Sequence, residues 1–291
     1  MNDQAERLRS LVAKSRQEET PVRSTRVITI TSGKGGVGKS NFTLNYALGL
    51  AKQGKQVVIL DADVGFGNID VLMGVTPKKT LADLIRKEAT LQDILETGPC
   101  DIKFIAGGSG FQDLLDIQQE EFDYLLEQLG ELQGFADYVL IDTGAGLNAQ
   151  TLQLILSSDD VYVVLTPEPT AITDAYALIK MVVNREPATR IQLVVNRAQS
   201  MPEGKETAEK IRLVAQRFLN VGISTLCVLL DDPNVSKSVK RQVPFLLAYP
   251  NGLASMCITN VVQAQIKGEV AGDVSTRGMK QFLHRMVRLF Q

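Results

Sequence analysis

The run Ser32-Gly33-Lys34-Gly35-Gly36-Val37-Gly38-Lys39-Ser40 constrains this chain more than any other part of it. From Gly33 to Ser40 it fits GxxxxGK[ST]. A short β-branched apolar run, 27–31, precedes it, and an apolar helical pattern (Phe42, Leu44, Tyr46, Ala47, Leu50, Ala51) follows. A strand leading into such a loop and a helix leading out is the context of a phosphate-binding loop. Glycines let backbone N–H groups turn inward around phosphate oxygens where a Cβ would collide. The helix N-terminus after Gly38 adds about half a positive charge. Lys39 is placed to reach the β- and γ-phosphates and Ser40 to ligate Mg²⁺, with Asn41 on the same first turn.

The rest of the chain supplies the sheet that such a loop needs. Short apolar runs at 27–31, 57–60, 102–105, 138–141, 161–165, 191–195 and 226–230 read as strands buried on both faces. Helical spacing fills the intervals, for example at 120–132, 170–183 and 205–218. This rhythm predicts right-handed βαβ crossovers and an α/β fold: a single P-loop domain whose mainly parallel, doubly wound sheet is flanked by helices. Ligands on such sheets bind at the carboxyl ends of strands, so functional residues are sought there. Two aspartates, Asp61 and Asp63, follow the second run at i and i+2 and so point to one side. Asp142 ends the 138–141 run. Beside a P-loop, a carboxylate in that place belongs to the Mg²⁺ shell, and Gly144 and Gly146 leave the following loop free to move.

A chain of 291 residues suits one large domain with short appendages, 1–25 and 273–291, around a core of 26–272. With 44% hydrophobic and 22% charged residues it reads as folded rather than disordered. No run of about eighteen apolar residues or N-terminal apolar signal is present, so the expected location is cytoplasmic. A net charge of −2 gives no global drive toward nucleic acid, and no sequence-specific nucleic acid is expected as a partner. Cys100, Cys227 and Cys257 form no CxxC pair, and the single histidine, His284, cannot build a histidine metal site.

The run Lys34-Gly35-Gly36-Val37-Gly38-Lys39-Ser40 resembles the deviant Walker A motif of the MinD/ParA class of ATPases, and the resemblance covers about residues 26–272. It implies ATP and Mg²⁺ as cofactors and hydrolysis of ATP to ADP and phosphate. It implies also an ATP-dependent homodimer in which Lys34 reaches the partner's nucleotide phosphates. By the same resemblance Asp61 is an outer-shell Mg²⁺ partner and Asp63 orients the attacking water. Asn196, beside Arg197, falls at the adenine-reading position, where its amide can both donate and accept. Pro233 falls where relatives pack against the base. Glu168 and Asp174 fall at cross-dimer positions, Glu168 also near the nucleotide. Many relatives carry a proline in the loop after Asp142; here Thr143-Gly144 replaces it.

From Gly278 onward Met279, Phe282, Leu283, Met286, Val287 and Phe290 form one helical stripe, opposed by Lys280, His284, Arg285 and Arg288. A bulky apolar face with a basic polar face reads as an interfacial helix for an anionic membrane surface. Its affinity would rise on dimerisation, tying peripheral membrane residence to ATP. At the other end Asp3, Gln4, Ala5, Leu8 and Arg9 form a DQAxxLR pattern similar to the activator segment of the FlhG (YlxH) family, MinD-like ATPases of flagellar regulation. That resemblance implies control of flagellar number and placement, with an FlhF-type signal-recognition GTPase and flagellar switch-complex (C-ring) proteins as partners. The alternatives are a MinD-type division-site ATPase, which shares the C-terminal helix, and a ParA-type DNA-partitioning ATPase. An iron protein on this fold would need cysteines near Asp142, and a GTPase an NKxD-like run after 194–196; neither is present.

Overall fold

A computed structural model of the chain describes residues 25–63, 67–108, 118–271 and 278–290. The elements, in chain order, are β1 (Arg26–Ser32), α1 (Lys39–Lys52), β2 (Val57–Ala62), α2 (Ile69–Met73), α3 (Leu81–Ile85), α4 (Leu91–Ile94), β3 (Glu96–Thr97), β4 (Lys103–Ile105) and α5 (Gln119–Gly130). They continue with β5 (Tyr138–Ala145), α6 (Ala149–Ser157), β6 (Asp160–Leu165), α7 (Pro169–Arg185), β7 (Arg190–Ala198), α8 (Met201–Leu219), β8 (Ser224–Leu230), α9 (Pro233–Lys240), α10 (Phe245–Ala248), α11 (Leu253–Ala271) and α12 (Gly278–Phe290).

Eight strands form one sheet in the order β3-β4-β2-β5-β1-β6-β7-β8. Every pairing is parallel except β3 with β4. All seven predicted strands are present. The eighth, β3, spans only Glu96–Thr97, too short to show a periodic pattern. The chain moves to one side of β1 with β2 and to the other with β6, so the crevice for a ligand opens at the carboxyl end of β1.

Alternation along the strands divides the core between the two faces. Ile28, Ile30, Ile59, Leu140, Tyr162 and Val164 pack under α1, α10 and α11, with Phe42 and Tyr46 of α1 stacked and Tyr46 edge-on to Tyr162. On the opposite face Val27, Val58, Leu60, Val139 and Ile141 meet α3, α4, α5 and α12. Beside them, Val161, Val163, Leu165, Leu193 and Val195 meet α6, α7 and α8.

The C-terminal stripe lies inside this core. Met279, Phe282, Leu283 and Met286 are 0, 2, 6 and 3% exposed and belong to the cluster beneath β1, β2 and β5; Val287 packs against it in part. Helix α12 rests on α5 and α6. Arg285 is engaged as well, donating from Nη1 to the Leu156 carbonyl at 2.9 Å and from Nη2 to Glu186 at 3.2 Å. Lys280 and Arg288 remain on the exposed side. The face expected to meet lipid is therefore covered by the protein itself, because an amphipathic pattern specifies an apolar face and not its partner. No helix among the described residues is long and apolar enough to cross a membrane. The side chain of Phe290 and the N-terminal residues Asp3, Gln4, Ala5, Leu8 and Arg9 lie outside the described residues.

Candidate functional site

The loop from Gly33 to Gly38 turns between β1 and α1 as the sequence predicts. Gly36 and Gly38 adopt φ of +77° and +91°, values that a Cβ would strain. Gly33 is required for a different reason. A Cβ there would lie 2.4 Å from the backbone carbonyl of Asp174, so α7 crosses against the loop at contact distance. Gly35 and Val37 complete the loop, Val37 buried.

Lys39, the first residue of α1, is buried and places Nζ 3.0 Å from Asp142 Oδ1. Ser40 follows, its Oγ 3.5 Å from the same ammonium. One helical turn further, Thr43 donates to Asp142 Oδ1 at 2.8 Å. Asp142 has no exposed surface, and its Oδ2 has no hydrogen-bond partner among the described residues. Parallel pairing sets Asp61 of β2 directly opposite Asp142 of β5. Burial, and then the neighbouring Asp142, push the Asp61 carboxyl up to about 7. Asp61 also accepts from the backbone N–H groups of Asp63 (3.1 Å), Asn68 (3.1 Å) and Ile69 (3.3 Å), which pins the start of α2 to the end of β2. Two adjacent buried carboxylates with an orphaned oxygen form a site that a cation completes. With Ser40 Oγ beside them, the donors are all hard oxygens, few in number, as Mg²⁺ prefers when phosphates and water fill its remaining positions. When bound there, Mg²⁺ offsets the charge of the phosphate oxygens.

Asp63 stands at the edge of this group, half-buried. Its carboxyl is raised from the ordinary value mainly by burial, against the opposing pull of Lys39. A Cβ on Gly144 would lie 3.1 Å from Asp63 Oδ1, so the carboxylate rests against the end of β5. That end is tied back to β1, with Thr143 Oγ1 donating to the Ile30 carbonyl at 3.2 Å and Gly146 N, just beyond it, to Ser32 O at 2.9 Å.

Beyond the loop a cleft of about 370 Å³ is lined by Gly36, Gly38, Asn41, Asn196, Arg197 and Asp231, with an apolar wall from Leu229, Val235, Val239 and Phe245. Its size and mixed lining suit a nucleoside. Asn196 and Arg197, the residues expected at the base end, line it. Pro233 does not: it is exposed, occupies the first turn of α9, and is absent from the cleft lining. The sequence reading missed the actual wall because those residues come from β8, α9 and α10, far along the chain. It also missed Thr43, whose one signal was a hydroxyl one turn beyond Ser40.

Lys34 is not directed at the carboxylates. Its Nζ contacts Glu168 Oε2 at 3.0 Å and Thr170 Oγ1 at 2.9 Å, where α7 begins, and its side chain is 38% exposed. Glu168 thus stands beside the loop and outside the nucleoside cleft, lining a neighbouring hollow with Arg197 and Glu203. Asp174 meets the loop through its backbone, beside Gly33.

A phosphate loop, a buried carboxylate pair and a nucleoside cleft at the switch point of a parallel sheet define a P-loop nucleotide hydrolase. A family model described as an AAA domain matches residues 25–195. The chain is 37% identical to the antiactivator FleN of Pseudomonas aeruginosa over 82% of its own length and 85% of that protein. It is 34% identical to the flagellum site-determining protein YlxH of Helicobacter pylori over 99% of both. The cell-division ATPase MinD of Pyrococcus furiosus superposes with a TM-score of 0.67 at 25% identity, covering 83% of this chain and 98% of that one. The chain belongs to the MinD/ParA class of P-loop ATPases, and its cofactors are ATP and Mg²⁺.

Proposed function

We propose that this ATPase is a nucleotide-gated switch that dimerises in ATP and governs the placement and number of flagella. The observation that carries the switch is the position of Lys34. A second loop lysine, held at the rim by Glu168 and Thr170 while Lys39 alone faces Asp142, is free to serve a phosphate of another copy. Positive charge delivered in trans meets the need of phosphoryl transfer for cations at the developing oxyanions. Asp63, against the end of β5, orients the attacking water, and Asp61 supports the Mg²⁺ shell from outside.

The flagellar assignment is supported by FleN and YlxH, similar over most of their lengths, together with the N-terminal Asp3-Gln4-Ala5 pattern. On this reading the partners are an FlhF-type GTPase, stimulated through Gln4 and its neighbours, and switch-complex proteins. Division-site positioning is the second reading, favoured by the septum site-determining protein MinD of Synechocystis, 30% identical over 82% of this chain. A chromosomal Lys34→Ala replacement that leaves flagellar count and position unchanged sinks the flagellar reading. Misplaced septa instead would support the second one. Gln4→Ala is expected to abolish stimulation of purified FlhF GTPase without altering the ATPase.

Membrane association, on this reading, requires α12 to leave its groove. Exposing Met279, Phe282, Leu283 and Met286 costs roughly 1.5–3 kcal/mol each, which insertion into a lipid surface offsets only with help from another binding event. ATP-driven dimerisation supplies that coupling, by pairing two anchors. Co-sedimentation with anionic liposomes is expected in ATP and not in ADP.

A further inference from the structure

Strand β7 carries an irregularity beside the cleft. Val195 pairs with Val228 and Ala198 with Leu230, so three steps on β7 oppose two on β8, and Asn196 and Arg197 form the bulge. Arg197 takes φ +58°, a left-handed conformation that a residue with a side chain rarely adopts. Bulges of this kind re-aim a neighbouring side chain. Here the side chain re-aimed is Asn196. Its Nδ2 donates to the Val37 carbonyl of the phosphate loop at 2.7 Å, while its Oδ1 accepts from the backbone N–H of Arg197 at 3.0 Å. The approach is close enough that a Cβ on Gly38 would lie 2.3 Å from Nδ2. Gly38 is therefore glycine both for its φ and to admit the asparagine.

The consequence follows from peptide geometry. Across a planar trans peptide the N–H points opposite to the C=O. Holding the Val37 carbonyl toward Asn196 turns the N–H of Gly38 the other way and removes a carbonyl lone pair from the space that phosphate oxygens must enter. We propose that Asn196 is a positioning residue for the phosphate loop, acting through its hydrogen bond to the Val37 carbonyl. An amide has two N–H groups and two lone pairs. The loop and Arg197 use one of each, and Asn196 also lines the cleft. One side chain then joins the base end of the site to its phosphate end.

The test separates the two ends with a ligand that has no base. Mg²⁺·tripolyphosphate and Mg²⁺·ATP are titrated calorimetrically into the wild type, Asn196→Asp and Asn196→Ser. Asp keeps the shape and cannot donate; Ser keeps a polar group and cannot reach, which covers the case that Asp does not fold. Loss of a partly buried neutral hydrogen bond predicts tripolyphosphate affinity lowered on the order of tenfold, with ATP falling at least as far. Hydrogen exchange in the ligand-free variants is expected to quicken across 33–39 while the rest of β7 stays protected. Affinity for tripolyphosphate unchanged while ATP alone weakens, or unchanged exchange in the loop, would show that Asn196 serves the base only and would overturn the proposal.

Discussion

Asp142 is the residue on which the site converges, since Lys39, Thr43 and Asp61 all meet it and one of its oxygens is left over. Thr43→Val keeps the shape and removes the donor. We expect it to lower stability by about 1–3 kcal/mol in urea unfolding and to raise the Mg²⁺ concentration needed for ATPase activity. Gly33→Ala drives a methyl group into the backbone at Asp174; overpacking of this kind costs about 1–3 kcal/mol, and nucleotide binding should fall with it. Asp61 gives a pH prediction. Its folded carboxyl titrates at about 7, whereas an unfolded aspartate titrates at about 3.9. Between those values the folded state binds more protons, so this contribution to stability is present below about pH 4 and is lost as pH rises toward 7. Without Mg²⁺, the wild type should lose stability relative to Asp61→Asn across that window; a difference that stays flat with pH would contradict this. At this scale the motif residues were legible because spacing along the chain fixes them. Thr43 and the apolar cleft wall were not, because their roles exist only once distant strands pair. Pro233 shows the converse: it sits where a motif match places it in sequence, but Val235 and Val239 line the cleft and Pro233 does not.

Among the elements, the central strands could be read in advance because burial on both faces demands continuous β-branched runs. A two-residue antiparallel strand such as β3 leaves no such trace. Helix α12 shows what periodicity does and does not carry. Its stripe was visible in the sequence, and from Met279 to Val287 α5, α6 and the underside of the sheet cover it. If that cover is structural, Phe282→Ala should cost about 3–5 kcal/mol in equilibrium unfolding of the nucleotide-free protein. A surface-lying helix would lose less than about 0.5 kcal/mol, so the same measurement distinguishes a docked element from a free anchor.

For the whole molecule, the single sheet brings Lys39 to the buried carboxylates and leaves Lys34 at the rim, tied to Glu168. That exposed ion pair contributes little to stability, on the order of 0–1 kcal/mol. On the proposed reading, a second copy presenting a phosphate displaces Glu168 at small cost. The central claim is that Lys34 acts between copies. Its most direct test is size-exclusion chromatography with light scattering of the wild type in Mg²⁺·ADP and Mg²⁺·ATP, and of Lys34→Ala in Mg²⁺·ATP. The account predicts a dimer for the wild type in ATP alone and a monomer for Lys34→Ala despite bound nucleotide; a wild type that stays monomeric in ATP, or a variant that still dimerises, would contradict it.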